Sequence, residues 1–210
     1  TYPSDIVPYI AADMKTMDVG RIETEAAAKA GADIVGVLAA ASDSTIRECV
    51  EAGKNYGAKI EVDLIEIKEA ELEKRAQEVE KLGVDYIGVH CAIDEQMQGK
   101  DPFLRLRKVS AVVDIPLACA GGINSQSAYR AVKAGAKIII VGGAITKAKN
   151  PTAAARQIKE AIASKKAIKT ELFKRVSLAG VKKALKAVST ANLSDALHRS
   201  GDLKGIYPVF

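Results

Sequence analysis

Short runs rich in β-branched residues alternate with longer segments of mixed charged and apolar positions along the first 166 residues of the chain. The short runs are typical of buried strands, and the longer segments are typical of amphipathic helices. The predicted strands are residues 6–12, 33–38, 59–65, 85–90, 115–120 and 137–142. The predicted helices are residues 21–30, 44–56, 68–82, 126–134 and 151–166. This alternation predicts an α/β fold with a parallel sheet.

A recurring glycine indicates the same organisation. Gly31, Gly57 and Gly83 are spaced 26 residues apart, and Gly135 follows after twice that interval, each just before a β-branched run. An interval of this length holds one helix and one strand. Six strands are two fewer than the eight of a closed (β/α)8 barrel. The pattern therefore leaves two architectures open, a doubly wound open sheet and a part of a barrel.

Composition excludes several classes of protein. The 210 residues are 48% hydrophobic, without an apolar run long enough to cross a membrane or an N-terminal signal, so we expect a cytoplasmic protein. The three cysteines form no CxxC pair, which disfavours a disulfide framework or a zinc site. The net charge is +5 and lysines cluster after residue 146, which we interpret as solvated helix faces. Aromatic residues make up only 4%, which disfavours a nucleic-acid-binding surface.

Three charged side chains follow the first predicted strand within six residues. Residues 13–18 read D-M-K-T-M-D. In an extended segment Asp13 and Lys15 point to the same side, because side chains alternate with period two. An exposed ion pair explains such a segment equally well on its own. The position favours a functional site, since polar groups at the carboxyl ends of parallel strands converge.

The later strand ends add further polar groups. Glu61 and Asp63 lie within the third predicted strand and are expected to face the same side, with Lys15 as the natural partner of Asp63. His90 ends the fourth strand, where it serves either proton transfer or a structural hydrogen bond. Glycine pairs follow the fifth and sixth strands, Gly121-Gly122 and Gly142-Gly143. Glycine backbone close to a helix start favours a phosphate.

These groups predict chemistry on a sugar phosphate. Asp13 can hold a hard divalent cation such as Mg²⁺. The cation and Lys15 can stabilise an enediolate formed by removing a proton beside a carbonyl, while His90 moves protons. A lyase, an isomerase and a decarboxylase all remain open at this point.

Residues 13–18 resemble the D-x-K-x-x-D signature of the orotidine monophosphate decarboxylase superfamily. The longer segments 12–20 (ADMKTMDVG), 90–96 (HCAIDEQ) and 141–145 (VGGAI) resemble the 3-hexulose-6-phosphate synthase family within it. The resemblance spans about residues 1–165. It implies a (β/α)8 TIM barrel and a Mg²⁺-dependent aldol addition of formaldehyde to ribulose 5-phosphate through an enediolate, usually by a homodimer.

The resemblance also implies roles for individual residues. Asp13 would be a metal ligand, and Lys15 would bind substrate and stabilise the enediolate. Asp18 would complete the site across the dimer interface, and His90 would transfer protons. The two glycine pairs would bind the phosphate through Gly121, Gly122, Gly142 and Gly143.

Two alternatives accompany this interpretation. The 3-keto-L-gulonate-6-phosphate decarboxylases are similar in all these parts. They typically carry an arginine three residues after the histidine and a Gly-Arg at the last strand, whereas this chain has Ile93 and Gly142-Gly143. Both differences favour the synthase. The other alternative is a non-catalytic regulatory fragment whose basic tail binds RNA or a ribonuclease.

The chain also departs from the family. Members begin with two strands before the D-x-K strand, which carry an aspartate and a metal-binding glutamate, and neither strand is found here. The resemblance therefore implies that residues 1–166 form a barrel lacking its first two strands, which a longer parent protein or a second chain would supply. Residues 167–188 predict a Lys-rich helical linker. Residues 185–197 (LKAVSTANLSDAL) resemble the opening of the RraA-like family, so residues 189–210 are predicted to begin such a domain.

Overall fold

A computed structural model of the chain describes residues 7–90, 102–169 and 185–186. The chain divides into two units, Thr1–Thr170 and Glu171–Phe210. Almost all of the second unit, with the predicted linker and RraA-like start, lies outside the described residues. The elements are β1 (Ala11–Thr16), α1 (Gly20–Lys29), β2 (Ile34–Leu38), α2 (Asp43–Tyr56), β3 (Lys59–Asp63), α3 (Leu72–Lys81), β4 (Tyr86–His90), α4 (Pro102–Ser110), β5 (Leu117–Ala120), α5 (Ala128–Lys133), β6 (Ala136–Ile139), α6 (Gly143–Thr146) and α7 (Pro151–Ala163).

The described strands form one sheet in chain order from β1 to β6, and every neighbouring pair is parallel. This arrangement confirms the prediction of alternating strands and helices with a parallel sheet. The carboxyl ends of all six strands therefore lie at the same edge, where the predicted site residues were placed. None of the helices in the described part of the chain is long and apolar enough to span a bilayer.

Alternation along the central strands separates core from cavity. Val35, Ile60, Val62 and Ile87 are at most 1% exposed and belong to the hydrophobic core that the helices cover. Burying each such side chain stabilises the fold by about 1.5–3 kcal/mol. The residues between them are glycines or carry carboxylates, and they line a cavity on the other face of the sheet: Gly36, Glu61, Asp63 and Gly88. Period-two alternation thus places charged side chains inside without interrupting the apolar core.

The first strand was predicted at residues 6–12, and this was wrong. It runs from Ala11 to Thr16, so the D-M-K-T-M-D segment begins inside the strand. Pairing with β2 starts at Ala11 opposite Ile34, and the backbone N–H of Ile10 donates to Asp33 Oδ2. Pro8 has no backbone N–H to donate to a neighbouring strand, which argues against a strand that begins before this residue.

One long helix was missed. Helix α4 occupies residues for which no helix was predicted. Phe103, Leu106 and Val109 are nearly fully buried and recur every third residue. That recurrence is a helical signal.

Two arginines from neighbouring helices anchor the loops that follow β2 and β3. Arg75 of α3 donates from Nε to the carbonyl oxygen of Ala39, at 2.8 Å, and from Nη2 to that of Ala41, at 3.0 Å. Arg105 of α4 performs the same role one loop further, at residues 64–67. These loops leave the sheet at the edge that carries the predicted site.

Replacing Arg105 with methionine tests this anchoring. Its Nη2 donates to the carbonyl oxygens of Leu64, at 3.1 Å, and Ile67, at 2.9 Å. Methionine keeps an apolar stem but leaves both carbonyls without this donor. We therefore expect the free energy of unfolding, measured in urea, to fall by about 1–3 kcal/mol. Arg156→Met on the exposed face of α7 is the matched control and should change it by less than about 0.5 kcal/mol. Equal stability of the two variants would contradict the anchoring role.

Candidate active site

A cavity of about 260 Å³ opens on the interior face of the sheet. Small and apolar residues form much of its wall, among them Gly36, Gly88, Ala118 and Ile140. The charged and titratable side chains lining it are Asp13, Lys15, Glu61, Asp63 and His90. The structure therefore brings together three of the four predicted catalytic residues, Asp13, Lys15 and His90, with both carboxylates of β3.

Lys15 stands at the centre of these charges. Its Nζ lies 3.0 Å from Asp13 Oδ1 and 3.2 Å from Asp63 Oδ2, which confirms the predicted pairing with Asp63. The backbone of Lys15 has φ 50° at an irregularity in the pairing of β1 with β2. Partial burial lowers the pKa of Lys15, but the bonds to Asp13 and Asp63 outweigh it and raise that pKa above its ordinary value. The side chain is thus an ammonium at neutral pH, suited to stabilise an anion and not to act as a base.

Asp63 connects Lys15 to His90. Its Oδ1 accepts the backbone N–H of Ile65 at 2.9 Å, and its Oδ2 lies 3.7 Å from His90 Nδ1. Burial raises the pKa of Asp63, but the nearby His90 imidazole and the hydrogen bonds from Ile65 and Lys15 more than offset it and lower that pKa below its usual range. The result is an ionised carboxylate that orients both an ammonium and an imidazole towards the cavity.

Glu61 differs from Asp63 although it lies on the same face of the same strand. No hydrogen bond or ion pair joins it to another of the described residues. Burial, then the negative charges of Asp63 and Asp13, raise the pKa of Glu61 to about 7. Sequence alternation indicated that Glu61 faces the cavity, but it did not reveal that this carboxyl would have no hydrogen-bond or ion-pair partner among the described residues.

Glu61 should make stability depend on pH. Its pKa is raised from an ordinary 4.5, so the folded state holds a proton that the unfolded state releases between about pH 4.5 and 7. Stability therefore falls as pH rises through that window, and the cost is complete above it. Glu61→Gln should raise the free energy of unfolding at pH 8 by up to about 3 kcal/mol, and by much less at pH 4. Urea titrations at both pH values measure this, with Glu160→Gln on exposed α7 as the control. A gain of equal size at both pH values would contradict the charge explanation.

Asp18, the fourth predicted catalytic residue, does not line the cavity of its own chain. It lies exposed in the turn after β1, where its Oδ1 accepts the backbone N–H of Val19 at 2.7 Å. Val19 adopts φ 48° immediately before α1 begins. The structure therefore leaves the predicted role of Asp18, completion of a site across a dimer interface, as a prediction.

The glycine pairs lie at the carboxyl edge of the sheet. Gly121 and Gly122 directly follow β5 with φ of 101° and 63°, a conformation that side chains other than glycine rarely adopt. Gly142 precedes α6, and Gly143 is its first residue. Their neighbours Ala120 and Ile140 line the cavity. The glycines are thus close to the cavity in sequence, and their binding of phosphate stays a prediction.

The residues present fit a magnesium ion in their chemistry. Mg²⁺ takes oxygen ligands, keeps several waters and is commonly held by one or two carboxylates together with substrate. The Asp13 side chain lines the cavity and is 75% exposed, so water-bound metal can reach it. Within the described ranges, no group of three or more His, Cys, Asp or Glu side chains is arranged to hold a metal. Asp13 is therefore the candidate ligand, with the remaining positions left to water and substrate.

Comparison with known proteins gives a consistent result. Residues 9–158 match the model of the orotidine 5'-phosphate decarboxylase / HUMPS family. The 3-hexulose-6-phosphate synthase 1 of Staphylococcus saprophyticus is 40% identical over 157 residues, 74% of either chain. The 3-hexulose-6-phosphate synthase of Mycobacterium gastri is 40% identical over 154 residues, 73% of either chain.

Solved structures agree with this match. The crystal structure of 3-hexulose-6-phosphate synthase from Salmonella typhimurium has a TM-score of 0.69 and 35% identity over 74% of either chain. That of 3-keto-L-gulonate-6-phosphate decarboxylase from Vibrio cholerae has a TM-score of 0.64 and 28% identity, over 73% of this chain and 72% of that one. These matches confirm the predicted fold, a β/α barrel of this superfamily in partial form. The RraA-like resemblance after residue 185 stays a prediction.

Proposed function

The chain belongs to the orotidine 5'-phosphate decarboxylase / HUMPS family, and on that premise we propose that it is an aldehyde-lyase of the 3-hexulose-6-phosphate synthase type. The reaction would be the reversible, Mg²⁺-dependent aldol addition of formaldehyde to D-ribulose 5-phosphate. Relatives bearing that name are about 40% identical over three quarters of the chain. The proposal includes formaldehyde and a pentose phosphate as substrates, Mg²⁺ as cofactor and a homodimer as the working form.

The observation that carries this proposal is the Lys15 ammonium held between Asp13 and Asp63 inside the cavity. Aldol addition requires removal of a proton from C1 of the ketose phosphate, which leaves an enediolate anion. A fixed ammonium in a partly desolvated site stabilises such an anion more than water does. Mg²⁺ held by Asp13 would supply Lewis-acid polarisation of the substrate oxygens.

His90 is the proton carrier in this proposal. Its Nδ1 faces Asp63, so Nε2 is the nitrogen left to exchange a proton with substrate. In the synthesis direction, C1 of the enediolate acts as a carbanion and forms a bond to the formaldehyde carbon. The formaldehyde oxygen then takes up a proton and becomes the hydroxyl of the new hydroxymethyl group. One proton leaves C1 and one is added to oxygen, so the reaction needs no net acid or base.

The phosphate would bind at the glycine pairs. Gly121-Gly122 and Gly142-Gly143 follow neighbouring strands at the edge where the cavity opens, and their backbone N–H groups are the donors a phosphate needs. In a homodimer, Asp18 would act at the cavity of the partner, which agrees with its exposed position outside its own cavity.

The proposal is tested by formaldehyde consumption. We expect the 210-residue chain to consume formaldehyde only when both ribulose 5-phosphate and Mg²⁺ are present, with EDTA abolishing the reaction. The same preparation is assayed for carbon dioxide release from 3-keto-L-gulonate 6-phosphate. Release of carbon dioxide without formaldehyde consumption would replace the synthase with the sister decarboxylase. Neither activity, together with steeply salt-dependent RNA binding, would favour the regulatory alternative.

A further inference from the structure

Strand β3 presents two carboxyl side chains to the cavity, and among the described residues only Asp63 is engaged by other side chains. Asp13, Lys15, Asp63 and His90 form a continuous series of contacts from 3.0 to 3.7 Å. Glu61 lines the same cavity, yet among the described residues it makes no hydrogen bond or ion pair. Within the described part of the chain, its carboxyl oxygens therefore have no protein partner and are available to a ligand.

The described residues around Glu61 leave space for its carboxyl and form no hydrogen bond with it. A Cβ added to Gly88 on β4 would lie 2.6 Å from Glu61 Oε1, so the carboxyl occupies the space that this glycine leaves. On the other side, Gly36 of β2 stands opposite Glu61 in the strand register and carries no side chain either. Ala118 continues this wall on β5. Because Gly36 and Gly88 carry no side chains, the neighbouring strands leave room for the Glu61 carboxyl at the cavity.

We propose that Glu61 is a substrate-binding residue that hydrogen-bonds a hydroxyl group of the sugar phosphate's carbon chain. The proposal rests on the proposed function and adds a specificity contact to it. The hydroxyls of a polyol chain that leaves water need new hydrogen-bond partners, because burying a hydroxyl without one is unfavourable. The other charged groups of the cavity, Asp13, Lys15, Asp63 and His90, already contact one another. The raised pKa of Glu61 supports the assignment, because near neutral pH its carboxyl can accept from a hydroxyl and, when protonated, donate to one.

Binding of ribitol 5-phosphate tests the assignment. This probe carries hydroxyls and a phosphate but no carbonyl, so it cannot react. Isothermal titration compares wild type, Glu61→Gln and Glu61→Met, with Mg²⁺ present throughout and inorganic phosphate as a second probe. We expect Glu61→Met to weaken ribitol 5-phosphate at least 10-fold and inorganic phosphate less than twofold. Glu61→Gln, whose amide still donates and accepts, should weaken ribitol 5-phosphate less than threefold.

Gly88→Ala supplies an independent arm if Glu61→Met does not fold. The added methyl group displaces the Glu61 carboxyl without altering its chemistry. We expect it to weaken ribitol 5-phosphate several-fold in the wild-type background. Thermal unfolding of each variant separates loss of binding from loss of structure.

The outcomes distinguish this proposal from the proposed function. Wild type that binds ribitol 5-phosphate, with unchanged affinity in both Glu61→Met and Gly88→Ala, overturns the role of Glu61 and leaves the proposed function in place. Equal weakening of ribitol 5-phosphate and inorganic phosphate also overturns it, because the defect would then lie at the phosphate. Failure of the wild type to bind ribitol 5-phosphate overturns both the role of Glu61 and the proposed function.

Discussion

Replacing Lys15 with alanine is expected to lower kcat/KM for formaldehyde addition by about 10²- to 10³-fold, the loss typical of removing one donor to a developing oxyanion. The reason is the position of Nζ, 3.0 Å from Asp13 and 3.2 Å from Asp63 at the wall of the cavity. If the ammonium acts on the enediolate, the loss should appear mainly in kcat, because the charge develops after substrate binds.

Lys29→Ala is the matched control for this experiment. Lys29 also forms an ion pair, with Glu25, but it lies on the exposed surface of α1 away from the cavity. We expect its kcat/KM to stay within twofold of wild type. Wild-type activity in Lys15→Ala would show that Lys15 forms only a structural ion pair, the interpretation that the sequence left open.

The pH dependence of Lys15 points the same way. Its folded pKa is raised above the ordinary 10.5, so its pairing stabilises the folded state below that pH and is lost as pH rises through the folded pKa. The ammonium is therefore intact over the whole neutral range. A change in wild-type activity between pH 5 and 9 should therefore arise from a group other than Lys15.

Replacing Asp63 with asparagine is expected to reduce kcat/KM by about 10- to 100-fold, the cost of losing hydrogen bonds to a charged group. Asparagine keeps the shape of the side chain but removes the anion that Lys15 and His90 both face. Lys15 would then pair with Asp13 alone and shift away from its central position. The imidazole would lose the anion that orients it.

The stability of Asp63→Asn supplies the second measurement. Because the pKa of Asp63 is lowered in the folded state, its ionised form stabilises the fold above the ordinary pKa of 3.8, and this contribution is lost as pH falls through the folded pKa. The difference in unfolding free energy between wild type and variant should therefore be present at pH 7 and shrink below about pH 4. Asp114→Asn in the exposed loop before β5 is the control and should show no such dependence. A difference independent of pH would contradict the role of the charge.

Much of the site could be predicted because it depends on local periodicity. Alternation along β3 placed Glu61 and Asp63 on one face, and the order of strands placed Lys15 close enough to pair with Asp63. The parallel sheet followed from the 26-residue interval in the same way. These are properties of consecutive residues, which a sequence records directly.

Other features depend on contacts between segments that are distant in the chain. Where β1 begins depends on its pairing with β2, and the prediction was wrong by several residues. The φ of 50° at Lys15 arises at the irregularity in that pairing, and no local preference of lysine indicates it.

The amino-acid sequence was sufficient to predict the alternating fold, the family and the side chains that face the cavity. Strand and helix periodicities depend only on residues that are close together in the sequence. The partners of those side chains depend on the tertiary structure. Asp63 is ionised beside Lys15 and His90. Glu61, two residues earlier on the same strand, lies where a side chain of Gly88 would be and has a pKa of about 7. The physical reason is that desolvation and charge pairing depend on which strands lie alongside, and those strands come from residues tens of positions away.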